Sequence, residues 1–194
     1  MISALIPAKN NEHQLVHTLS ALVSASAEGI LREVVIADEN STDGTQIVAD
    51  ACGANFVTST GPGISTLIAG LEQTTRSDWI LVIEPGALLQ SGWQNDATAF
   101  IERAGPAKSA SNLVGMYPSY TQEFGATAQL KQKFENLRHK LIKTSCAHLP
   151  MLIQKMHLQS CLRATSNQSR HDQLKQVLRA SRIHWLNATV VFQK

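Results

Sequence analysis

The sequence predicts an α/β fold, a mostly parallel sheet flanked by helices on both faces, and three observations predict it. Short apolar runs alternate with stretches of helical periodicity through the first hundred residues. The connections between them are short, as in crossover units that lie side by side. The run at 79–83 is apolar without alternation, the pattern of a strand buried on both faces.

Each element follows from its residues. Ala4, Leu5 and Ile6 form a strand that Pro7 ends, and Leu15, Leu19 and Leu22 at helical spacing mark the first helix. Val34, Val35, Ile36 and Ala37 form a β-branched strand that stops at Asp38. After it, Ser41 or Thr42 is the expected cap of a helix carrying Ile47, Val48 and Ala51, and Gly53 suits its carboxyl end. Residues 55–58 read as a third strand, Gly61-Pro62-Gly63 as a loop, and Leu67, Ile68 and Leu71 as the inner face of a third helix. The second half is less regular. It reads as a helix over 93–103, a strand over 113–116, a long helix striped by Leu130, Phe134, Leu137 and Leu141, a strand over 151–154, a helix over 172–180 and a final strand over 183–192. Ligands of such sheets bind beyond the carboxyl ends of the strands, which directs attention to 7–12, 38–43, 61–63 and 84–86.

A chain of 194 residues, 43% hydrophobic, suits one domain, 1–194, with a sizeable core. Its apolar runs fall far short of the ~20 residues needed to span a bilayer. Its start lacks a basic region followed by a long apolar one, so a cytoplasmic location is expected. Cys52, Cys146 and Cys161 lack paired spacing, against both a disulfide framework and a four-cysteine metal site. The net charge of +2 hides an asymmetry: residues 1–100 hold three basic groups and eleven carboxylates, while 101–194 hold fourteen and four. A basic second half can hold an anionic ligand or simply be a solvated surface. Lys131, Lys133, Arg138, Lys140 and Lys143 surround the apolar stripe of the long helix. That stripe faces the core by preference, with contact to the anionic inner face of a membrane as the alternative. The basic residues lack interleaved aromatics, so no nucleic-acid partner is expected.

The segment Ile6-Pro7-Ala8-Lys9-Asn10-Asn11-Glu12, followed by Ala37-Asp38-Glu39-Asn40-Ser41-Thr42-Asp43-Gly44-Thr45, resembles family 2 glycosyltransferases of the GT-A fold. The resemblance implies a Rossmann-like sheet and transfer of a sugar from a nucleoside-diphosphate sugar to an acceptor hydroxyl, usually with inversion. It implies that Asp38 accepts a hydrogen bond from the nucleobase. Pro7, Ala8 and Lys9 then border base and ribose, with Asn10, Glu12, Asn40, Ser41 and Gly63 in support. As plain structure, Asn10 reads as a helix cap and Asp43 as a first-turn carboxylate. The family's base position matches Asp172 in Arg170-His171-Asp172-Gln173-Leu174-Lys175, which equally suits a helix start.

One position departs from the family. Its pair of metal-binding Asp residues reads here Glu84-Pro85-Gly86, so Glu84 is a ligand candidate while Gly86 offers no side chain. Pro-Gly signals a type II turn. Without Mg²⁺ or Mn²⁺, the leaving diphosphate needs basic groups, and Arg170, Lys175 and Lys155 are the candidates. His13 and His17 sit one helical turn apart without a third ligand, and neither Cys146 and His148 nor His157 and Cys161 has a zinc site's spacing. Two further readings stand beside the transferase: a catalytically inactive nucleotide-binding relative that serves as a binding or assembly partner, and a sugar-phosphate nucleotidyltransferase, which normally wants a Gly-rich basic loop after the first strand.

Overall fold

The computed structural model describes residues 1–105, 112–119, 148, 150–163 and 169–193. The chain runs β1 (Ile2–Ala8), α1 (Glu12–Ala27), β2 (Leu31–Asp38), α2 (Thr45–Ala51), β3 (Asn55–Thr58), α3 (Ile64–Gln73) and β4 (Trp79–Val82). It continues with β5 (Ala87–Leu89), α4 (Trp93–Ala104), β6 (Leu113–Met116), β7 (Met151–Gln154), α5 (Lys155–Arg163), α6 (Arg170–Arg179), β8 (Arg182–Trp185) and β9 (Val190–Phe192). The expected long helix near Leu130 to Leu141 lies outside the described residues.

Seven strands form one sheet in the order β3-β2-β1-β4-β7-β6-β8, and β5 pairs with β9 in a second, two-stranded sheet. The pairs β1/β2, β2/β3 and β1/β4 are parallel. β7 runs antiparallel to both β4 and β6, and β8 runs parallel to β6. The expected mostly parallel sheet with helices on both sides is therefore what forms, with one reversed strand inside it. β1 and β4 are buried along their whole lengths, which is why neither shows polar alternation.

Several local expectations are corrected. Pro7 does not end β1, which continues to Ala8. The Leu5 carbonyl accepts from the Ile83 amide and the Ala8 carbonyl from the Glu39 amide, so Pro7's nitrogen points to the β4 side, beyond the last β1/β4 pair, Leu5 with Val82. The missing N–H costs no ladder bond there. The amino end of α2 is Gly44, with no side-chain cap, because Ser41 and Thr42 are engaged elsewhere. Thr45 and Ala49 form the buried face of α2, while Ile47 is 74% exposed. The single final strand over 183–192 is two strands in two sheets, and the short β5 and the helix α5 were not anticipated.

Helix α3 packs on the sheet through Gly70. A Cβ there would meet the Leu5 side chain and come within 2.8 Å of the Ala37 Cβ. Both neighbours are fully buried core atoms, so the helix would have to lift. Gly70→Ala is expected to destabilise the fold by about 1–3 kcal/mol in urea melts, with an unchanged denaturant slope.

Candidate functional site at the carboxyl edge of the sheet

The loops after β1 and β2 leave the sheet side by side and are joined by reciprocal side-chain to backbone bonds. The Asn10 amide donates to the Ser41 hydroxyl (2.7 Å), and the Thr42 amide donates back to the Asn10 side-chain carbonyl (2.8 Å). The Glu12 amide donates to Asp43 (3.1 Å), and the Gly44 amide donates back to Glu12 (3.0 Å). The Asn11 amide reaches the Thr45 hydroxyl (3.1 Å), which itself donates to Asp43 (2.5 Å). Asn10 and Asn40 hold positive φ, 51° and 58°, a region asparagine tolerates better than most residues. Asn10 is thus a cross-loop tie and not a cap of its own helix. Asp43 does both: it ties the Glu12 amide across the loops and accepts from the Thr45 amide (3.1 Å) at the start of α2, and its carboxyl is held below its usual 3.8 chiefly by the Thr45 hydroxyl.

Asp38 ends β2 with only 2% of its surface exposed. Its carboxylate accepts from the Ser41 amide (2.8 Å) and the Ser41 hydroxyl (2.5 Å), an Asx-type turn that shapes the loop after it. Pro7 and Ala8 are buried beside it, while Lys9, Asn10 and Asn40 are exposed and Glu12 and Ser41 are half-buried. The structure therefore brings together the stretches around 7–12 and 38–45, which both leave the carboxyl ends of adjacent parallel strands. It also adds a residue that sequence reasoning passed over. Glu39 accepts from the Gly63 amide (3.3 Å) and the Thr66 hydroxyl (3.2 Å), so the second acid of the pair ties β2 to the start of α3. Its place next to Asp38 was the one available signal.

On the opposite side of β1 stands the turn at 84–87. The Ala87 amide donates to the Glu84 carbonyl (3.1 Å), and Gly86 has φ 88°, the geometry that the Pro-Gly pair predicts. Gly86 is gripped from two sides. Its amide is shared by the Gln14 carbonyl (3.1 Å) and the Thr18 hydroxyl (2.9 Å), and its carbonyl accepts from the Gln193 amide (2.9 Å). A Cβ on Gly86 would lie 2.6 Å from the Gln193 carbonyl oxygen. A carboxylate cannot be placed there without moving backbone. Among the described residues no group of three or more His, Cys, Asp or Glu side chains comes together. Of positions 84 and 86, only Glu84 carries a side chain that can reach the divalent cation that the resemblance implies.

The second half of the chain reaches the same edge by topology. α6 leads into β8, which runs parallel to β4 through two antiparallel pairings, so the amino end of α6 points to the carboxyl edge. There Ser169 caps the helix: its hydroxyl accepts from the Asp172 amide (3.3 Å) and donates to the Asp172 carboxylate (2.6 Å). Lys175 pairs with the same carboxylate at 3.3 Å. The Ser169 hydroxyl first, and Lys175 after it, hold the Asp172 carboxyl low. Lys155 is not a phosphate candidate, a correction to the sequence reading. It follows Gln154, which pairs with Trp79 at the amino end of β4, and its ammonium donates to the Thr74 carbonyl on the far side of the sheet. The side chain of Arg170 and the basic run 131–143 lie outside the described residues.

His157 and Cys161 stand one helical turn apart on α5. Sγ stands 3.9 Å from Nδ1, burial lowers the imidazole and raises the thiol, and both are biased neutral. His157 Nε2 instead meets the Ser181 hydroxyl at 2.8 Å.

Two outcomes are expected. Asp43, with a depressed carboxyl, contributes stability that is full above about pH 4 and is lost as pH falls through its lowered value. Acid melts of Asp43→Asn should therefore decline less steeply below about pH 4 than those of the parent chain. Gly86→Asp should cost about 1–3 kcal/mol through its positive φ and the Gln193 carbonyl, and calorimetric titration with Mn²⁺ should detect no new site.

Comparison with known proteins places this geometry in context. The family model described as glycosyl transferase family 2 matches residues 3–156. Curated proteins give no significant sequence match. Among solved structures, the chain is similar to glucosyl-3-phosphoglycerate synthase from Mycobacterium tuberculosis in complex with Mn²⁺, UDP and glucosyl-3-phosphoglycerate. That similarity has 18% identity and a TM-score of 0.56 over 100% of this chain and 72% of that one. It is also similar to S. aureus TarS 1-349 with UDP-GlcNAc, at 15% identity and a TM-score of 0.64, covering 100% of this chain and 59% of that one. Mannosyl-3-phosphoglycerate synthase from Rubrobacter xylanophilus matches at 15% identity and a TM-score of 0.55, over 83% of this chain and 54% of that one. At these identities the structural likeness speaks for the GT-A fold. With the family model matching most of its length, the chain belongs to glycosyl transferase family 2.

Proposed function

We propose that this chain transfers a sugar, with inversion, from a nucleoside-diphosphate sugar held at the carboxyl edge of β1 and β2 to an acceptor hydroxyl, and that it does so without a divalent metal. The observation that carries the reading is the tied double loop, which gathers Asp38, Glu39 and Asn40 at one sheet edge, with Asp38 buried there and held by Ser41. A carboxylate there can accept from a nucleobase imide, and Lys9, Asn10 and Gly63 border the same edge. The neighbours solved with UDP or UDP-GlcNAc support a nucleotide at this edge.

In the reaction the acceptor oxygen attacks the anomeric carbon, the bond from that carbon to the diphosphate oxygen breaks, and the acceptor proton passes to a base. Asp172 is the base in this reading; as a carboxylate it is ionised at neutral pH, and Ser169 and Lys175 further favour its charged form. Lys175 supplies positive charge at the same edge. Its exposed pairing with Asp172 is weak enough to be exchanged for a phosphate oxygen. The Gly86 turn supports metal independence, since it leaves no room for a second carboxylate.

The cap geometry of Asp172 favours a second reading, in which the chain binds nucleotide but does not transfer. The chain spans 59% and 54% of two of the similar structures, and a complete activity can require more than this chain holds.

Thermal unfolding across UDP-, GDP-, CDP- and dTDP-sugars, with Mn²⁺ and with EDTA, tests the proposal. One donor is expected to stabilise the chain equally in both conditions, by about 2.7 kcal/mol at a hundredfold excess over Kd, and Asp38→Asn should abolish the shift. Transfer or donor hydrolysis, measured by released nucleoside diphosphate, should persist in EDTA and be lost in Asp172→Asn while nucleotide binding stays. Activity abolished by EDTA and restored by Mn²⁺ would overturn metal independence. Binding without any turnover would establish the second reading.

A further inference from the structure

Trp79, Trp93, Phe100 and Tyr117 are sunk in the core. Phe192 is not: it is the one aromatic among the large apolar side chains exposed in the described structure, at 37%. Along β9 exposure rises from Val190, fully covered, through Val191 to Phe192, so the strand brings a ring out of the core at its last residue. Backbone pairing fixes where that happens. Phe192 pairs with Ala87, and the Gln193 amide donates to the Gly86 carbonyl (2.9 Å), which sets the ring beside the turn at 84–87. A second ring joins it from another part of the chain. His148 is exposed and lies just before Met151, which pairs with Val82 at the carboxyl end of β4. Its imidazole centroid stands 5.8 Å from that of the Phe192 ring, with the planes at 50°.

An exposed pair of rings at a polar sheet edge selects its ligand by chemistry. The face of an aromatic ring is apolar and carries the negative part of its quadrupole. The matching surface is apolar and faintly positive on one side and hydroxylated around its rim, which describes the C–H face of a pyranose. The position agrees. Neighbouring strands lie about 4.8 Å apart, so the end of β2, with Asp38, and the end of β4 are about two such spacings apart across β1. A donor with its base at Asp38 and its diphosphate across β1 carries its sugar to the β4 side, where the two rings stand. We infer that Phe192 and His148 form a stacking platform for the pyranose ring of the donor, a sugar subsite that rests on the nucleotide-binding role proposed for Asp38.

Calorimetric titration of the full chain with nucleoside diphosphates and with their hexose conjugates tests this. For the base that binds, the hexose should tighten binding in the parent chain and in Phe192→Trp. Phe192→Ala should weaken the conjugate by about fivefold and leave the affinity for the nucleoside diphosphate unchanged. His148→Ala should act in the same direction, and because His148 lies outside the strands it leaves the β5/β9 pairing in place. An equal loss for diphosphate and conjugate would overturn the assignment, since the rings would then hold the base or the phosphates. So would conjugate binding that neither variant changes. If the parent chain binds no nucleotide, the donor role of Asp38 fails, and methyl β-glucoside decides the platform by itself. Its C–H protons should shift upfield in the ring currents of the parent chain and not in Phe192→Ala, and protons left unshifted by the parent would overturn the platform as well.

Discussion

The candidate site depends on the exchange of hydrogen bonds between the loops after β1 and β2. Two backbone strands that emerge side by side from a parallel sheet each leave amides without ladder partners. Here the side chains of one loop satisfy the amides of the other: Ser41 and Asp43 take those of Asn10 and Glu12, and Asn10 and Glu12 take those of Thr42 and Gly44. Neither loop can take this shape alone. The motif that looks like a set of ligand-binding residues is first a device for making a rigid sheet edge. Asp38 joins it through Ser41, and Glu39 extends it to α3.

Gly86 occupies the other side of β1 in the same spirit. Its amide and carbonyl are both committed, to α1 on one side and to the residue after β9 on the other. The glycine is there because backbone passes where a side chain would stand. A carboxylate at this position and the Gln193 contact exclude one another. That edge is thus bounded by two polar loops and by a turn whose Gly86 offers backbone alone.

Much of this was legible beforehand, and the errors have physical causes. The parallel half could be read because β-branched runs buried on both faces leave a strong apolar signal, as at Val34 to Ala37. Pro7 misled because proline's cost depends on which side of a strand lacks a partner, and that is a property of the sheet. Ile47 misled because helical spacing does not say which face of α2 meets the sheet; Thr45 and Ala49 do so, and neither is strongly apolar. Ser41 was assigned to the helix it precedes when its partner lies 31 residues earlier in the chain. Lys155 looked available for phosphate because charge alone gives no address, whereas its strand pairing sends it to the opposite end of the sheet. Glu39 went unnoticed because the bonds it makes, to Gly63 and Thr66, cross 24 and 27 residues.

The pairing of β5 with β9 joins residues 87–89 to residues 190–192, across about half the chain. Such a contact carries a high loop-closure entropy and forms late, whereas β1, β2 and β3 join neighbours through single crossovers. On a ribosome, the two polar loops can therefore take shape while much of the polypeptide is still unsynthesised. The turn at Gly86 cannot reach its final form until residues 190–193 have cleared the exit tunnel and zipped onto it. One wall of that edge needs only neighbouring strands, and the other waits for a pairing about a hundred residues further along the chain.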